Sequence, residues 1–537
     1  HRTGGATTHS GTNNNTAIGL GASGNGDIAT FPATNPTDAP ITATIEVTPT
    51  FTNNGVACSG PSETFTITVN PSAQADDPGD QVFCDTENTP VINLTTSNSG
   101  GTTTYDWTNS NPAIGLAASG TGDVPSFTAS NPGTSPVTAT ITVEPTYTNN
   151  GESCTGPNTT FTITVNPSAR VDDPADRVLC EGANTGDIVF STSNTGGSTT
   201  YDWTNTETDI GLAASGTGDI SDFTVTNPGT SPLSATISVE PTYENGGVSC
   251  SGTAETFTIT VNPTGQVDDP ADRVFCNGEV TPDIDFTTQN SGGTTTYAWT
   301  NDNTAIGLAG SGNGSIGSFT ATNAANSQQT ATITVTPTFN NSGQSCAGPS
   351  ESFTITVNPT AQVDDPADRV FCNGDVTPAI NFTTQITDGT VTYDWSNDNT
   401  AIGLAASGSG SVPSFNAVNN GDSPVSATVT VTPTYTESGE SCTGPDQTFT
   451  ITVNPTAQVD DPANRVFCNS EATPVISFST QNTGGATTYT WTNDNTAIGL
   501  GAGGSGDIGS FTATNGGTSP ISATIEVFPT YSSGGES

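Results

Sequence analysis

The sequence predicts an all-β protein, a tandem array of immunoglobulin-like β-sandwich domains with a 96-residue period. Three observations predict this class: a repeated string, alternation of apolar with polar residues, and the absence of helical periodicity. FTITVNP begins at Phe65, Phe161, Phe257 and Phe449, and the variant SFTITVNP places Phe353 in the same series. Each step is 96 residues, a usual size for one independently folding domain.

The period divides the chain into four complete repeats and two partial ones. We expect partial β-sandwich repeats at 1–71 and 456–537, and complete repeats at 72–167, 168–263, 264–359 and 360–455. Both ends of the sequence fall inside a repeat, so we expect targeting and anchoring signals to lie outside this segment.

Within the repeat 72–167, six β-prone runs are separated by clusters of Gly, Asn and Pro. The predicted strands are 82–84, 91–96, 102–108, 126–130, 137–148 and 159–166. Trp107 lies on the third of them, which is the position of the core Trp in immunoglobulin-like sandwiches. This order of elements predicts one such sandwich per repeat.

The charge balance excludes several partners. The chain has 52 acidic residues against six Arg and no Lys, for a formal net charge of -46. Nucleic acid and anionic membranes both attract a basic surface, so neither is an expected partner. No run of 18 apolar residues occurs, which predicts no membrane insertion in this segment. An acidic surface of this kind suits an extracellular protein in a saline medium, where salt screens self-repulsion.

The residue inventory argues against catalysis. The two histidines, His1 and His9, lie outside the complete repeats, and Lys is absent. No nucleophile with an adjacent base can be assembled from what remains. Carboxylates recur in every repeat, mostly in turns and linkers, which is not the pattern of a single acid–base pair. We expect no enzyme activity, no catalytic residue and no bound organic cofactor.

Acidic clusters follow the last predicted strand of each repeat, in the segment DDPAD and its variants. Oxygen-rich clusters of this kind can bind Ca²⁺, which takes six to eight oxygen ligands. The alternative is a solvated acidic linker, whose charge is offset by the arginines that follow it, Arg177, Arg273, Arg369 and Arg465. The candidate calcium ligands are Asp76, Asp77, Asp80, Asp172, Asp173, Asp176, Asp268, Asp269, Asp272, Asp364, Asp365, Asp368, Asp460 and Asp461. The spacing matches no established calcium loop, and it favours the linker.

Aromatic residues raise the hypothesis of sugar binding. Tyr105 and Trp107 are two positions apart on a strand and therefore share one face of the sheet. A recurring Trp opposite TATITV and FTITV strands is what a packed sandwich core requires, so we favour the core over a sugar platform.

The order of motifs in a repeat resembles the PKD-like repeats of giant surface adhesins from Bacteroidota. The motifs are TTYDWTN, AIGLAASGTGD, PSFTASN, SPVTATITVEPTY, a Cys-Gly turn and FTITVNP, and the resemblance covers the whole chain. It implies an adhesin or an extracellular appendage, used in gliding, attachment or prey grappling, and export by type IX secretion.

The ten cysteines alternate between a short and a long separation along the chain, so two pairings keep the period. In a sandwich that the chain enters at an upstream end and leaves at a downstream end, the turn before the last strand lies upstream. Cys84 is at the start of the first strand, also at the upstream end, so it should neighbour Cys154 in that turn. We therefore predict the pairing with the longer loop: Cys84 with Cys154, Cys180 with Cys250, Cys276 with Cys346, and Cys372 with Cys442. Cys58 and Cys468 remain without partners in the segment.

The predicted function is structural: the stalk or shaft of a secreted bacterial adhesin or extracellular fibre at the cell surface. The alternative is an array of weak carbohydrate- or cell-surface-binding sites that act through avidity. We expect a cell-surface or glycan ligand to be bound by regions outside this segment. Lateral association of copies into a homo-oligomeric fibre is a further expectation, opposed by the net charge of -46 unless ions screen it.

Overall fold

The computed structural model describes residues 4–537, and within that range the chain is all-β apart from single turns of 3₁₀ helix. The predicted fold class is confirmed. Six strands, labelled β1 to β6 in chain order within each repeat, recur with the 96-residue period. The repeat boundaries drawn from the sequence stay a prediction.

The strands of each type have the following bounds. Strand β1 comprises Gln81–Cys84, Arg177–Cys180, Arg273–Cys276 and Arg369–Cys372. Strand β2 comprises Ala6–Asn13, Thr102–Asn109, Ser198–Asn205, Thr294–Asn301, Thr390–Asn397 and Ala486–Asn493. It carries the Trp in all of them except Ala6–Asn13, which has Gly11 at that position. The short β3 comprises Ser23–Asn25, Ser119–Thr121, Ser215–Thr217, Ser311–Asn313, Ser407–Ser409 and Gly503–Ser505.

The remaining strands form the long hairpin and the last strand. The long β4 comprises Ile41–Asn53, Val137–Asn149, Leu233–Asn245, Gln329–Asn341, Val425–Glu437 and Ile525–Ser532. Strand β5 comprises Val56–Ser59, Glu152–Thr155, Val248–Ser251, Gln344–Ala347 and Glu440–Thr443. Strand β6 comprises Glu63–Val69, Thr159–Asn166, Glu255–Asn262, Glu351–Asn358 and Gln447–Asn454. Between β2 and β3, 3₁₀ turns span Thr16–Ile18, Pro112–Ile114, Thr208–Ile210, Thr304–Ile306, Thr400–Ile402 and Thr496–Ile498.

The sheet of each complete repeat has the order β1-β6-β4-β2-β3, and β5 pairs with the far end of β4. Strand β4 pairs antiparallel with its neighbours, whereas β1 runs parallel to β6, with Gln81 opposite Ile163 and Cys84 opposite Asn166. The partial repeats have smaller sheets, of five strands at the N-terminal side and of three at the C-terminal side.

Opposite this sheet lies an irregular second layer. Isolated bridges pair Asn88 with Thr128 and Ile92 with Val124, and they recur with the period. The sequence predicted regular strands at 91–96 and 126–130, and this was wrong. Side chains take backbone donors that a regular ladder would use: Asp123 accepts from the amide of Leu94 at 2.9 Å, and Thr89 Oγ1 accepts from Phe127 at 3.0 Å.

The core lies between the two layers. Alternation along β4 and β6 sends Ile141, Val143, Ile163 and Val165 inward, and each is fully buried. They pack with Trp107 in one hydrophobic cluster. Equivalent clusters occupy the other complete repeats. The outward positions of the same strands are mostly Thr and face solvent. Because only one face of each sheet is buried, the core of each repeat is thin.

The chain divides into two compact units. The first comprises His1–Pro263, Ser291–Gly293 and Asn341–Cys346, and the second comprises Thr264–Asn290, Thr294–Asn340 and Ala347–Ser537. No helix among residues 4–537 is long and apolar enough to cross a membrane.

Candidate functional site at the boundaries between repeats

Disulfides join consecutive repeats. Three are formed: Cys84–Cys250, Cys180–Cys346 and Cys276–Cys442, each with a sequence separation of 166 residues. The first two lie within the first compact unit and the third within the second. Each connects the end of β1 in one repeat to β5 of the next. The predicted pairs Cys84–Cys154, Cys180–Cys250, Cys276–Cys346 and Cys372–Cys442 were therefore wrong.

The reason is the parallel register of β1. Because Cys84 lies opposite Asn166 at the end of β6, it is at the downstream end of its repeat and not at the upstream end. Cys154 lies on β5, in the turn before β6, and is at the upstream end as expected. The downstream end of one repeat meets the upstream end of the next, so the neighbour of Cys84 is Cys250, with 5.5 Å between their Cα atoms.

Within the described residues 4–537, four cysteines are free: Cys58, Cys154, Cys372 and Cys468. The offset of 166 residues places the partner position of each of them outside residues 1–537. Burial, followed by the charge of Asp375, raises the pKa of the Cys372 thiol.

Buried asparagines form a second link at the same boundary. Asn166 ends β6 and is fully buried. Its Nδ2 donates to the carbonyl of Asn245 in the next repeat, and Nδ2 of Asn245 donates back to Oδ1 of Asn166, both at 2.9 Å. The same amide pair joins Asn70 to Asn149, and Asn262 to Asn341. Because an unpaired buried amide is costly, each pair fixes the boundary in one arrangement.

Sequence reasoning did not find these asparagines. Two signals were available in the sequence. A polar residue, the Asn of every VNP motif, recurs at the end of an apolar strand, and a second Asn follows 79 residues later, at the end of β4. Among apolar strands, a periodic buried amide indicates a specific hydrogen-bond partner.

The candidate calcium ligands are spread along the body of their own repeat. Asp76 accepts from the hydroxyl of Thr95 at 2.8 Å, in the irregular layer, whereas Asp80 accepts from the amide of Thr162 at 2.7 Å, on β6. The equivalents of Asp76 are Asp172, Asp268, Asp364 and Asp460, which bind a Ser or Thr hydroxyl in the same way. The equivalents of Asp80 are Asp176, Asp272 and Asp368, which bind the amides of Thr258, Thr354 and Thr450.

The middle aspartates, Asp77, Asp173, Asp269, Asp365 and Asp461, do not share this pattern of bonds to the body of the repeat. Asp77 is exposed and accepts from the amide of Gly79 at 2.9 Å. Across residues 4–537, no group of three or more acidic, His or Cys side chains is placed to hold a metal ion. The calcium hypothesis stays a prediction for experiment.

Hydrogen bonds stabilise the charged form of the β6-bound carboxylates. The amide and the hydroxyl of Thr258 hold the pKa of Asp176 below its ordinary value. Equivalent contacts from Thr354 and Thr450 lower the pKa of Asp272 and Asp368, and Thr162 lowers that of Asp80. These carboxylates thus tie the linker segment to the last strand.

Arg177 contacts backbone carbonyls: its guanidinium donates to Thr185 and, at 3.4 Å, to Asp187. These bonds fasten β1 to the irregular layer of the same repeat. The ion pair between this arginine and the acidic linker stays a prediction.

The aromatic pair lies in the core, as expected. Trp107 is 3% exposed and Tyr105 is 8% exposed, which leaves no open ring face for a sugar. Gly120 lies opposite Trp107 in the β2–β3 ladder, and a Cβ atom built there would lie 2.6 Å from Cε2 of the indole. The glycine is required because the indole ring covers it.

No family model matches the sequence, and no curated protein matches it. Among solved structures, the human desmocollin-1 ectodomain is 12% identical with a TM-score of 0.24, over 84% of this chain and 96% of that one. The first four cadherin domains of Drosophila N-cadherin are 15% identical with a TM-score of 0.22, over 70% and 99%. Immunoglobulin domains 1–5 of Sidekick-1 are 12% identical with a TM-score of 0.21, over 84% and 93%. Likeness at these TM-scores carries no argument, so the fold assignment rests on the strands and cores described above.

Proposed function

We propose that the chain is the stalk of a secreted bacterial adhesin or extracellular fibre, and that it carries a distal binding region away from the cell. The observation that supports this most strongly is the link between consecutive repeats. Each described disulfide joins one repeat to the next, and a buried amide pair supports two of these three boundaries. Covalent and hydrogen-bonded links between consecutive repeats are what a stalk needs in order to resist separation of its domains.

The repetition itself supports a spacer. The same six strands recur through the described residues, and the core positions are filled by similar apolar side chains in each complete repeat. Quasi-one-dimensional arrays gain reach in proportion to the number of repeats. Disulfides require an oxidising compartment, which supports an extracellular location.

The finer features of the proposal rest on the motif resemblance and on charge. PKD-like motifs support an origin in Bacteroidota and export by type IX secretion. A homo-oligomeric fibre, formed by lateral association of copies, would stiffen the stalk further. Because the net charge is -46, this association requires salt or divalent cations.

Electron microscopy of the 537-residue chain tests the proposal. With about 35 to 40 Å per repeat, we expect a slender particle about 200 Å long. A compact particle would contradict it. A glycan array probed with the same sample distinguishes a spacer, which binds nothing, from the alternative of a multivalent carbohydrate-binding array. Sedimentation at seawater ionic strength, with and without a chelator, tests the fibre: a strict monomer under both conditions excludes it.

A further inference from the structure

We infer that the offset disulfides turn the array into a covalent ladder with two rails, which limits its length under tension whether or not the sandwiches stay folded. The inference goes beyond the proposed function, because it follows from the connectivity of the isolated chain and holds whatever the chain carries.

The first rail starts at Cys84. A disulfide leads from Cys84 to Cys250, the backbone continues from there to Cys276, and a second disulfide leads to Cys442. The backbone segment 250–276 contains the end of β5, all of β6 and the linker of one repeat, and β1 of the next. The remaining strands of these two repeats do not lie on this rail.

The second rail is interleaved with the first. The backbone runs from Cys154 to Cys180, a disulfide leads to Cys346, and the backbone then runs to Cys372. The segments between the rails are the rungs: 84–154, 180–250, 276–346 and 372–442. Each rung contains β2 to β4 and the core Trp, so most of the sandwich lies between the rails and not along them.

Because of this connectivity, the maximum extension of the oxidised chain does not depend on whether the rungs are folded. Per pair of repeats, a rail contains one backbone segment such as 250–276, which extends to at most about 90 Å. The same pair without disulfides, as in the continuous segment 84–276, extends to about 650 Å. An unfolded rung therefore adds no length as long as one rail is intact, and the limit on extension is about sevenfold shorter than for the reduced chain.

The ladder also tolerates a broken backbone. A cut in the segment 154–180 is bridged by Cys84–Cys250, and a cut in 250–276 is bridged by Cys180–Cys346. A single cut at any bond between Cys84 and Cys442 leaves one covalent molecule. One disulfide within each repeat would not do this, because every linker would then be the only connection.

Trypsin tests the connectivity, because the absence of Lys confines cleavage to Arg. Cleavage after Arg170, Arg177, Arg273, Arg369 and Arg465 places at least one cut in each of the segments 154–180, 250–276, 346–372 and 442–468. After digestion of the unfolded, non-reduced chain, we expect one linked species that holds the segment ending at Arg170 together with 178–273, 274–369 and 370–465. Segment 466–537 should be released. Separation of all segments without reductant would show pairing within repeats, and retention of 466–537 would show pairing of Cys442 with Cys468; either result overturns the ladder.

Single-molecule stretching between the two termini tests the mechanics. The shortest covalent path of the oxidised chain runs through the backbone segments 1–84, 250–276 and 442–537. We expect a fully extended length of about 700 Å oxidised and about 1,850 Å after reduction. One disulfide per repeat would give about 900 Å oxidised, which would refute the inference.

Two variants with one disulfide fewer serve as a matched pair. C180S with C346S cuts the second rail and leaves the first intact, so the oxidised length stays at about 700 Å. C84S with C250S cuts the first rail, and the shortest path then lengthens to about 1,200 Å. Equal lengthening in the two variants would overturn the ladder. The full extension is reached only after unfolding, so neither result depends on how well a variant folds.

Discussion

The backbone amide of Gln328 donates to the carboxylate of Asp388 in the following repeat, at 2.7 Å. At the equivalents of these positions the other repeats have Pro, as in Pro232, and Gly, as in Gly292. Pro has no N–H to donate, so the bond to Asp388 can form only because position 328 is Gln. The two substitutions relative to the other repeats are therefore coupled. Both residues lie in the second compact unit.

A third residue at this boundary also differs from its equivalents in the other repeats. Position 437 has Glu where the preceding repeats have an Asn that donates across the boundary. A carboxylate cannot donate, and Oδ1 of Asn358 instead accepts from Nε2 of Gln328 at 2.8 Å. Asn358 is fully buried, so its carbonyl requires this donor. This boundary thus keeps its hydrogen bonds with a different set of residues.

We predict that Gln328→Pro weakens this boundary although it restores the commoner residue. It removes the amide bonded to Asp388 and the donor to Asn358. Loss of a buried hydrogen bond costs about 1–3 kcal/mol, which speeds amide exchange in β5 of the following repeat roughly 5- to 150-fold. Hydrogen–deuterium exchange of the segment 435–443 measures this. Adding Asp388→Gly and Glu437→Asn should restore protection, and unchanged exchange in the single variant would show that the three residues are not coupled.

The strands that line the core were predictable and the boundary was not. Alternation of Thr with Ile or Val gave β4 and β6, because one face is buried and a shift of one residue would expose it. The predicted strands 102–108, 137–148 and 159–166 correspond to Thr102–Asn109, Val137–Asn149 and Thr159–Asn166. Prediction of the disulfide pairing depended instead on the direction of β1. The residue pattern of this short strand does not indicate that it pairs parallel with β6.

Gly312 and Gly317 offer a matched test of the Trp packing. A Cβ atom built at Gly312 would lie 2.6 Å from Cε2 of Trp299, whereas one at Gly317 meets no atom within 4 Å. We predict that Gly312→Ala destabilises the repeat by about 1–3 kcal/mol, as overpacking of a core does, and that Gly317→Ala has little effect. Denaturant unfolding followed by Trp fluorescence measures both. Equal midpoints for the two variants would mean that the indole can move aside.

Calcium gives a direct test of the linker aspartates. Asp76 and Asp80 are held by different segments of one repeat, so binding a shared ion would require breaking the bonds to Thr95 and Thr162. We therefore expect the same thermal midpoint in millimolar Ca²⁺ and in chelator. A midpoint that rises with Ca²⁺, and that no longer does so in a variant with Asn at the first two aspartates of all five linker clusters, would establish calcium binding at the linkers.

The β6-bound aspartates should make stability depend on acid pH. Hydrogen bonds from Thr258 lower the pKa of Asp176 from its ordinary value of 3.8, and Asp80, Asp272 and Asp368 are lowered in the same way. A carboxylate whose pKa is lower in the folded state contributes stability that is fully present above pH 3.8 and is lost as the pH falls through the folded-state value. We predict that the thermal midpoint of the native chain falls more steeply below about pH 4 than that of a variant with Asn at all four positions. Asn keeps an acceptor for the Thr amide but does not titrate.

A control variant separates this effect from net charge. Asn at Asp77, Asp173, Asp269 and Asp365 removes the same number of carboxylates from the same linkers without touching the bonds to β6. This variant should keep the native pH dependence, because the pKa of the β6-bound aspartates is lowered chiefly by their Thr partners. If the two variants lose the same part of the acid dependence, the effect comes from net charge and not from the bonds to β6.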